Sequence, residues 1–176
     1  MKRAEKQAYK VLRDHSISKP PVPVEKIATA LGASLSYEPF EDKDAISGML
    51  FRDGSRTVIG INSSHGRTRQ RFSIAHELGH LVLHEGKLFV DKVSRINLRD
   101  ETSSKAIDRE EIEANSFAAA LLMPEDLVVS EVAKRLGRSS KIKPDILIPE
   151  LAKTFDVSNE AMDYRLRNLG ILVGQF

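Results

Sequence analysis

The segment 69–84 constrains the fold of this chain more than any other, because its apolar residues fall on nearly every side of a helix. A helix with that pattern is buried in the core of a protein. The segment nevertheless contains His76, Glu77 and His80, the polar residues of an HExxH motif. Burying these groups costs on the order of several kcal/mol unless they are satisfied, and a metal ion would satisfy them.

The spacing within this motif suits a shared metal ion. Residues four apart lie on one face of a helix, so His76 and His80 could both bind one Zn²⁺. Glu77 is offset by one position, which places its carboxylate beside the metal, where it could take a proton from bound water and pass it to a leaving amine. The alternative interpretation is a pair of helix histidines bonded to backbone or carboxylate groups.

The composition restricts the third ligand of such a site. The 176 residues include no cysteine, which excludes disulfide scaffolds, thiolate metal sites and cysteine nucleophiles and leaves His, Asp or Glu. His84 lies one turn beyond His80, but side chains at i, i+4 and i+8 span roughly 12 Å of a straight helix and cannot converge on one ion. We therefore interpret His84 as a rim or packing histidine. Gly86 stands where the extended HExxHxxGxxH motif requires another histidine.

Acidic residues open a second core helix, which is predicted at about 108–123. Acids in a first turn favour the positive end of the helix dipole, and this explanation suits two of the three glutamates there. One carboxylate facing the HExxH helix would complete a His₂Glu site, with Glu111 as the first candidate and Glu113 as the alternative. Asn115 lies four residues after Glu111, on the same face, where its amide could orient a ligating histidine.

Further helices and a few strands are predicted around these two core helices. The predicted elements are helices at 1–16, 24–31, 124–136 and 149–169 and strands near 35–37, 46–51, 57–61 and 88–98. Asp53 and Gly54 are a turn signal that makes 46–62 a β-hairpin. Because few other strands are predicted, we expect one hairpin arm at a sheet edge, where an extended peptide substrate could pair with it. Residues 99–105 are predicted to form an exposed loop.

Composition and charge exclude several classes of function. The chain is 41% hydrophobic and 30% charged, which is typical of a globular protein and too apolar for a disordered one. Its 27 Lys and Arg against 25 Asp and Glu leave a net charge of +2, which argues against binding a polyanion through bulk charge. No stretch approaches the roughly 18 apolar residues of a membrane span, and the N-terminus lacks a signal-peptide core, so we expect a cytoplasmic protein without a membrane partner.

The segment 148–170 has the cadence of a helix-turn-helix. A DNA-reading helix presents Arg, Asn or Gln at its start, whereas here Asn159 is followed by Glu160 and Asp163, which would face phosphates. We therefore favour packing or partner recognition over direct DNA binding. The basic stretch 132–143 and the arginines that precede the HExxH helix are interpreted as solvated faces, with a nucleic-acid or acidic-partner patch as the alternative. Those arginines are Arg67, Arg69 and Arg71.

Two long motifs resemble the ImmA/IrrE family of zinc metallopeptidases. One is residues 71–84 with the HExxH motif, and the other is residues 111–124 with an ExxAN motif; 21–32 and the end of the hairpin add to a resemblance that covers most of 20–170. It implies an α+β fold, a helix-rich minimal zincin of gluzincin-like type with a small antiparallel or mixed sheet. We expect a metallopeptidase domain at 1–143, with a helix-turn-helix-like segment at 144–176 packed on it.

The resemblance also implies a function. It maps the zinc ligands of the family onto His76, His80 and Glu111, with Glu77 as the catalytic base. Family members typically cleave, or relieve repression by, helix-turn-helix repressors in stress, mobile-element or toxin–antitoxin contexts, so a zinc-dependent endopeptidase acting on such a repressor is expected. The alternative is a non-cleaving regulatory protein that binds a repressor or DNA with the same fold. The presence of Glu77 favours the peptidase, because a non-catalytic descendant could lose the base while keeping both histidines.

Overall fold

The computed structural model describes residues 2–40, 46–92, 101–137 and 143–172, apart from the side chains of 91–92 and 101–108. The helices in these ranges are α1 (Arg3–Asp14), α2 (Val24–Ala30), α3 (Arg67–Leu83), α4 (Glu101–Leu122), α5 (Glu125–Leu136), α6 (Pro144–Phe155) and α7 (Asn159–Asn168). The strands are β1 (Ala33–Glu38), β2 (Ile46–Asp53), β3 (Arg56–Asn62) and β4 (Leu88–Lys92). The predicted helix-rich α+β class is confirmed. None of these helices is both long and apolar enough to cross a membrane.

The strands form one mixed sheet with the order β1-β3-β2-β4. β2 and β3 are the predicted antiparallel hairpin, and Gly54 takes a positive φ of 51° in the turn between them. β1 runs parallel to β3, whereas β4 runs antiparallel to β2, with Phe89 opposite Leu50. The central positions of the hairpin, Leu50 and Ile59, are fully buried, which anchors the sheet on the core.

The expectation that one hairpin arm lies at a sheet edge is wrong. β2 pairs with both β3 and β4, and β3 pairs with both β1 and β2, so each arm is internal. The reason is that the short segments 33–38 and 88–92 each add a strand to one side of the hairpin. An extended peptide therefore has no free hairpin arm to pair with, and in the described part of the chain β1 and β4 are the edge strands. Residues 93–98 of the predicted strand lie outside the described residues.

The helix α3 lies at the centre of the fold, as its apolar pattern predicts, in contact with α4 on one side and with the sheet on the other. A Cβ built on Gly79 would lie 2.9 Å from the Cα of Ala114, which is closer than side chains tolerate. The two helices therefore approach each other closely because glycine faces alanine at their contact. This contact brings the acidic segment 110–113 of α4 beside the HExxH motif.

The helix α4 begins earlier than predicted. It starts at Glu101 instead of at about residue 108, so the expected exposed loop is wrong for 101–105, whereas 99–100 lie outside the described residues. Residues 101–105 are polar and carry no apolar periodicity from which a helix could be predicted. Once the buried half of a helix is held by packing, each added residue gains a backbone hydrogen bond without a new nucleation cost. α1 also packs along α4.

The C-terminal segment forms the predicted pair of helices. α6 starts at Pro144, where the fixed φ of proline suits the first helical position, so Pro149 lies inside the helix and not at its start. Asp156 turns the chain with a positive φ of 55°, and the predicted cap Ser158 accepts a hydrogen bond from the backbone N–H of Ala161 at 3.1 Å. The division of the chain into 1–143 and 144–176 stays a prediction.

Two buried arginines attach this segment to the rest of the molecule. Arg165 donates from Nε to the carbonyl of Met123 at 2.9 Å. Arg71 donates to the carbonyls of Val22 and Asp156 at 2.9 and 3.0 Å. The interpretation of Arg71 as part of a solvated face is therefore wrong, because its guanidinium is buried and donates to backbone carbonyls of other segments.

Members of the basic stretch 132–143 are also engaged in intramolecular contacts. Arg135 contacts Glu131, Glu150 and Thr154, which joins α5 to α6, so it is not part of a solvated face either. Its neighbour Lys134 is exposed and pairs with Glu131 at 2.6 Å. Residues 138–142 of the basic stretch lie outside the described residues.

Candidate metal centre

Helices α3 and α4 bring the three predicted ligands together. The Nε2 atoms of His76 and His80 lie 3.1 Å apart. Glu111 reaches both rings, with one carboxylate oxygen 3.1 Å from Nε2 of His76 and the other 3.2 Å from Nε2 of His80. The candidate ligand atoms of the three residues all lie within 4.8 Å of one another, so one ion could contact all three. Two imidazole nitrogens and one carboxylate oxygen are a donor set that catalytic zinc sites use.

The electrostatic environment keeps these groups in the protonation states that a cation requires. Burial lowers the pKa of His80 by more than the Glu111 carboxylate raises it, so the imidazole stays neutral. Burial alone would raise the pKa of Glu111, but hydrogen bonds from His76 and His80 outweigh it and lower that pKa to about 2. The site thus presents neutral imidazole and an ionised carboxylate at neutral pH, and metal ligands must be deprotonated in this way.

Glu77 is completely buried and lies on the sheet side of α3. A Cβ built on Gly48 of β2 would lie 3.0 Å from Oε1 of Glu77, so this glycine leaves room for the carboxylate against the strand. Among the described residues Glu77 is not one of the three that could share an ion. Glu77 thus lies beside the two candidate ligands His76 and His80 without being one of the ligands, as the one-residue offset in the HExxH motif predicts.

Asn115 occupies the position expected for a residue that orients a histidine. Its side-chain oxygen lies 3.0 Å from Nδ1 of His76, on the opposite side of the ring from the candidate ligand atom Nε2. When a cation is bound at Nε2, the ring proton would lie on Nδ1, from which it can be donated to this oxygen. Glu111 and Asn115 therefore act on the same histidine from successive turns of α4.

Comparison with known proteins assigns the chain to a family. Residues 28–167 match the peptidase M78 family model, described as an IrrE N-terminal-like domain. The chain belongs to this family. It is 32% identical over 136 residues to the radiation response metalloprotease IrrE of Deinococcus radiodurans, a segment that is 77% of this chain and 37% of that protein.

Two further relatives have been found. The radiation response metalloprotease IrrE of Deinococcus deserti is 33% identical over 137 residues, which are 77% of this chain and 43% of the relative. An uncharacterized immunity region protein of Bacillus phage phi105 is 33% identical over 98 residues, which are 56% of this chain and 57% of the phage protein. The matched part of this M78 family member thus spans less than half the length of either Deinococcus protein.

His84 of this M78 family member is buried and not at the rim of the site. It stays outside the three-residue group, as the helix geometry predicts, but its Nδ1 lies 3.1 Å from Nδ1 of His80. Its Nε2 lies 3.3 Å from Glu113, the alternative third ligand, which contacts His84 instead of the shared space between the two candidate ligand rings. The spacing of four residues between His80 and His84 could have predicted the first contact, because such residues are neighbours on a helix.

Two residues at the site have no signal in the local sequence. Phe89 of β4 stacks on the ring of His80, with centroids 4.5 Å apart and planes 24° apart. Arg52 of β2 lies 5.6 Å from the Phe89 centroid and donates to the carbonyls of His80 and His84 at 2.9 and 3.0 Å. The sheet therefore holds the C-terminal end of α3, where helix carbonyls lack partners within the helix.

A cavity of about 350 Å³ lies between the start of α3 and the start of α7. It is lined by Thr68, Arg69, Phe72, Val157, Ser158 and Ala161. Phe72 is one helical turn before His76, and the centroids of the two rings are 6.5 Å apart. The cavity therefore adjoins the metal-capable group from the N-terminal side of α3.

Proposed function

We propose that this protein is a zinc-dependent endopeptidase that hydrolyses a peptide bond in a protein substrate. The observation that carries the proposal is the convergence of His76, His80 and Glu111, whose candidate ligand atoms lie within 4.8 Å of one another. Three protein ligands leave a fourth position for water or substrate, which is the arrangement of catalytic zinc sites. Imidazole nitrogens favour zinc over magnesium or calcium. Membership of a peptidase family supports the same conclusion.

The roles of the side chains follow from their positions. His76, His80 and Glu111 would hold the zinc, which when bound supplies a Lewis acid for the scissile carbonyl. Glu77 is the proposed general base: its carboxylate accepts a proton from the attacking water and donates it to the nitrogen of the leaving amine. Its burial against Gly48 holds the carboxylate in place and keeps bulk water from it. Asn115 would keep His76 in the tautomer that binds through Nε2.

The substrate we propose is a helix-turn-helix repressor presented as an extended segment. In the described part of the chain β4 is an edge strand beside His80, so a peptide backbone could pair with it. The cavity next to Phe72 is lined mainly by apolar atoms and could take one apolar side chain of that peptide. The similarity to a phage immunity region protein is compatible with a repressor substrate.

Direct DNA binding is not part of the proposal. Arg165 of α7 is buried against Met123, and Arg167 pairs with Asp163 at 2.9 Å, so both arginines have partners within the chain. A helix that reads DNA needs free cations and amides at its start to contact phosphates and bases. We therefore assign the C-terminal helices to packing and to the wall of the cavity.

The experiment that tests this function compares the wild type with Glu77→Gln. Both proteins are purified, their zinc content is measured, and each is incubated with candidate helix-turn-helix repressors from the same genome. We expect equal zinc content and a cleavage rate that falls by about 10²–10⁴-fold in the variant, the usual effect of losing a general base. If the zinc-loaded wild type and Glu77→Gln relieve repression equally, and neither produces fragments of the repressor, the protein is the non-cleaving regulator instead.

A further inference from the structure

The two candidate ligand histidines differ in what contacts their outward-facing nitrogens. Nδ1 of His76 faces an amide oxygen, that of Asn115, at 3.0 Å. Nδ1 of His80 faces another imidazole, that of His84, at 3.1 Å. A neutral imidazole accepts a hydrogen bond at one nitrogen and donates one from the other. His84 can therefore accept a hydrogen bond from His80 and donate one to a third group.

The contacts of His84 permit one arrangement of protons when His80 binds a metal through Nε2. The proton of His80 is then on Nδ1 and is donated to Nδ1 of His84. His84 must carry its own proton on Nε2, which lies 3.3 Å from a carboxylate oxygen of Glu113. An ionised carboxylate only accepts hydrogen bonds, and Glu113 also accepts one from Nε of Arg109 at 3.2 Å. The two imidazole N–H groups in this chain of contacts, on His80 and His84, therefore both point away from the metal position.

We propose that His84 and Glu113 are positioning residues of the metal centre: His84 fixes the ring orientation and tautomer of His80, and Glu113 fixes those of His84. The inference rests on the proposed function in that His80 is taken as a zinc ligand. Packing supports it, because Phe89 lies 4.5 Å from the ring centroid of His80 and 6.2 Å from that of His84 and so holds both rings from one side. Partners of this kind orient metal-ligating histidines and raise their basicity.

The test measures zinc affinity by competition with a chelator, using zinc alone as the probe. His84→Phe keeps a ring of similar volume but removes both nitrogens, and we expect zinc to bind about 10–100-fold more weakly. His84→Gln offers an amide oxygen to Nδ1 of His80, and we expect it to recover most of that loss. Glu113→Gln should weaken binding less than His84→Phe, and combining it with His84→Phe should add nothing further, since both changes interrupt one chain of contacts.

A matched control separates positioning from loss of charge. Glu110→Gln removes the same charge from a residue that, like Glu113, lies within two positions of Glu111. We expect it to bind zinc like the wild type. Wild-type zinc affinity in both His84→Phe and Glu113→Gln, or equal weakening in Glu110→Gln and Glu113→Gln, would overturn the proposal.

A second measurement does not depend on any variant of His84. Nitrogen-15 NMR of histidines in the zinc-loaded wild type should find His84 protonated on Nε2 and not on Nδ1. A His84 ring protonated on Nδ1 contradicts the inference even if the substitutions unfold the protein. Failure of the peptidase is recognised separately: zinc affinity that depends on His84 in a protein without cleavage activity overturns the proposed function and leaves the positioning roles standing.

Discussion

Two pairs of helices in this molecule bury polar side chains for different purposes. In the α3–α4 pair the buried groups face one another, so that two imidazoles and a carboxylate meet in one place. Where the α6–α7 segment meets the rest of the chain, the buried guanidinium groups of Arg71 on α3 and Arg165 on α7 each bind backbone carbonyls. The first arrangement leaves lone pairs directed at a shared space, whereas the second uses polar groups to close the fold. The partners of buried polar groups therefore distinguish a candidate site from a structural contact.

Among the substitutions that test this contrast, we expect Gly79→Val to have the largest effect on stability and on zinc binding. A side chain at this position would overlap Ala114, whose Cα lies 2.9 Å from the Cβ position, and would push α4 and Glu111 away from the histidines. We expect a loss of about 3 kcal/mol in the free energy of unfolding, at the upper end for overpacking, together with weaker zinc binding. Urea unfolding and chelator competition measure the two effects.

The matched control for this change is Gly66→Val, just before the same helix. A Cβ built there meets nothing within 4 Å, and its φ of −64° suits any residue. We expect a change below about 1 kcal/mol and unaltered zinc binding. If Gly79→Val binds zinc as tightly as this control, the close approach of the helices does not set the geometry of the site.

Arg165→Met should destabilise the fold without altering the metal centre. It leaves the buried carbonyl of Met123 without the donor that now lies 2.9 Å away, which typically costs about 1–3 kcal/mol. We expect a lower melting temperature but wild-type zinc affinity in the folded protein. Arg167→Met, which loses only an exposed pair with Asp163, should leave the melting temperature close to that of the wild type. Zinc affinity that falls with Arg165→Met would remove the distinction between the two helix pairs.

The smallest expected effect is a pH dependence of the free energy of unfolding of the metal-free protein, which arises from Glu111 in the metal-capable group. The pKa of Glu111 is about 2 in the folded chain against an ordinary value of 4.5, so the unfolded state binds protons first as the pH falls. The contribution of Glu111 to stability is present above about pH 4.5 and is lost as the pH falls toward 2. The side chain is about a third exposed, so solvent reduces the effect.

Glu111→Gln tests this origin in the presence of a chelator. Urea unfolding between pH 2 and 6 should show a weaker fall in stability for the variant than for the wild type, because the amide does not titrate. Parallel curves for the two proteins would mean that other carboxylates cause the acid dependence.

Much of the candidate site could be predicted from spacing within single helices. Residues four apart share a helix face, which is enough to pair His76 with His80 and Glu111 with Asn115. The choice of Glu111 over Glu113 came from this reasoning and from the family resemblance, and Glu111 is the one that lies against both rings. The hairpin at 46–62 had an equally local signal in its turn residues.

The features that were missed depend on contacts between segments far apart in the chain. The order of the strands places β4 beside β2, and no residue in 88–92 specifies that pairing by itself. Arg71 looks like a surface residue in the sequence because its partners, the carbonyls of Val22 and Asp156 and the carboxylate of Asp156, come from distant segments. The contact between His84 and Glu113 joins the C-terminal end of α3 to the middle of α4.

By itself the sequence determined which side chains could hold a metal: an HExxH helix, an acidic second core helix and the absence of cysteine restrict the candidate ligands to histidine and carboxylate. Helix periodicity is a local property, so these statements needed no tertiary information. Only the tertiary structure decided how closely the two helices approach at Gly79 and Ala114, and that Glu113 contacts His84. Such distances depend on the packing of side chains from several segments at once, which no spacing along one segment encodes.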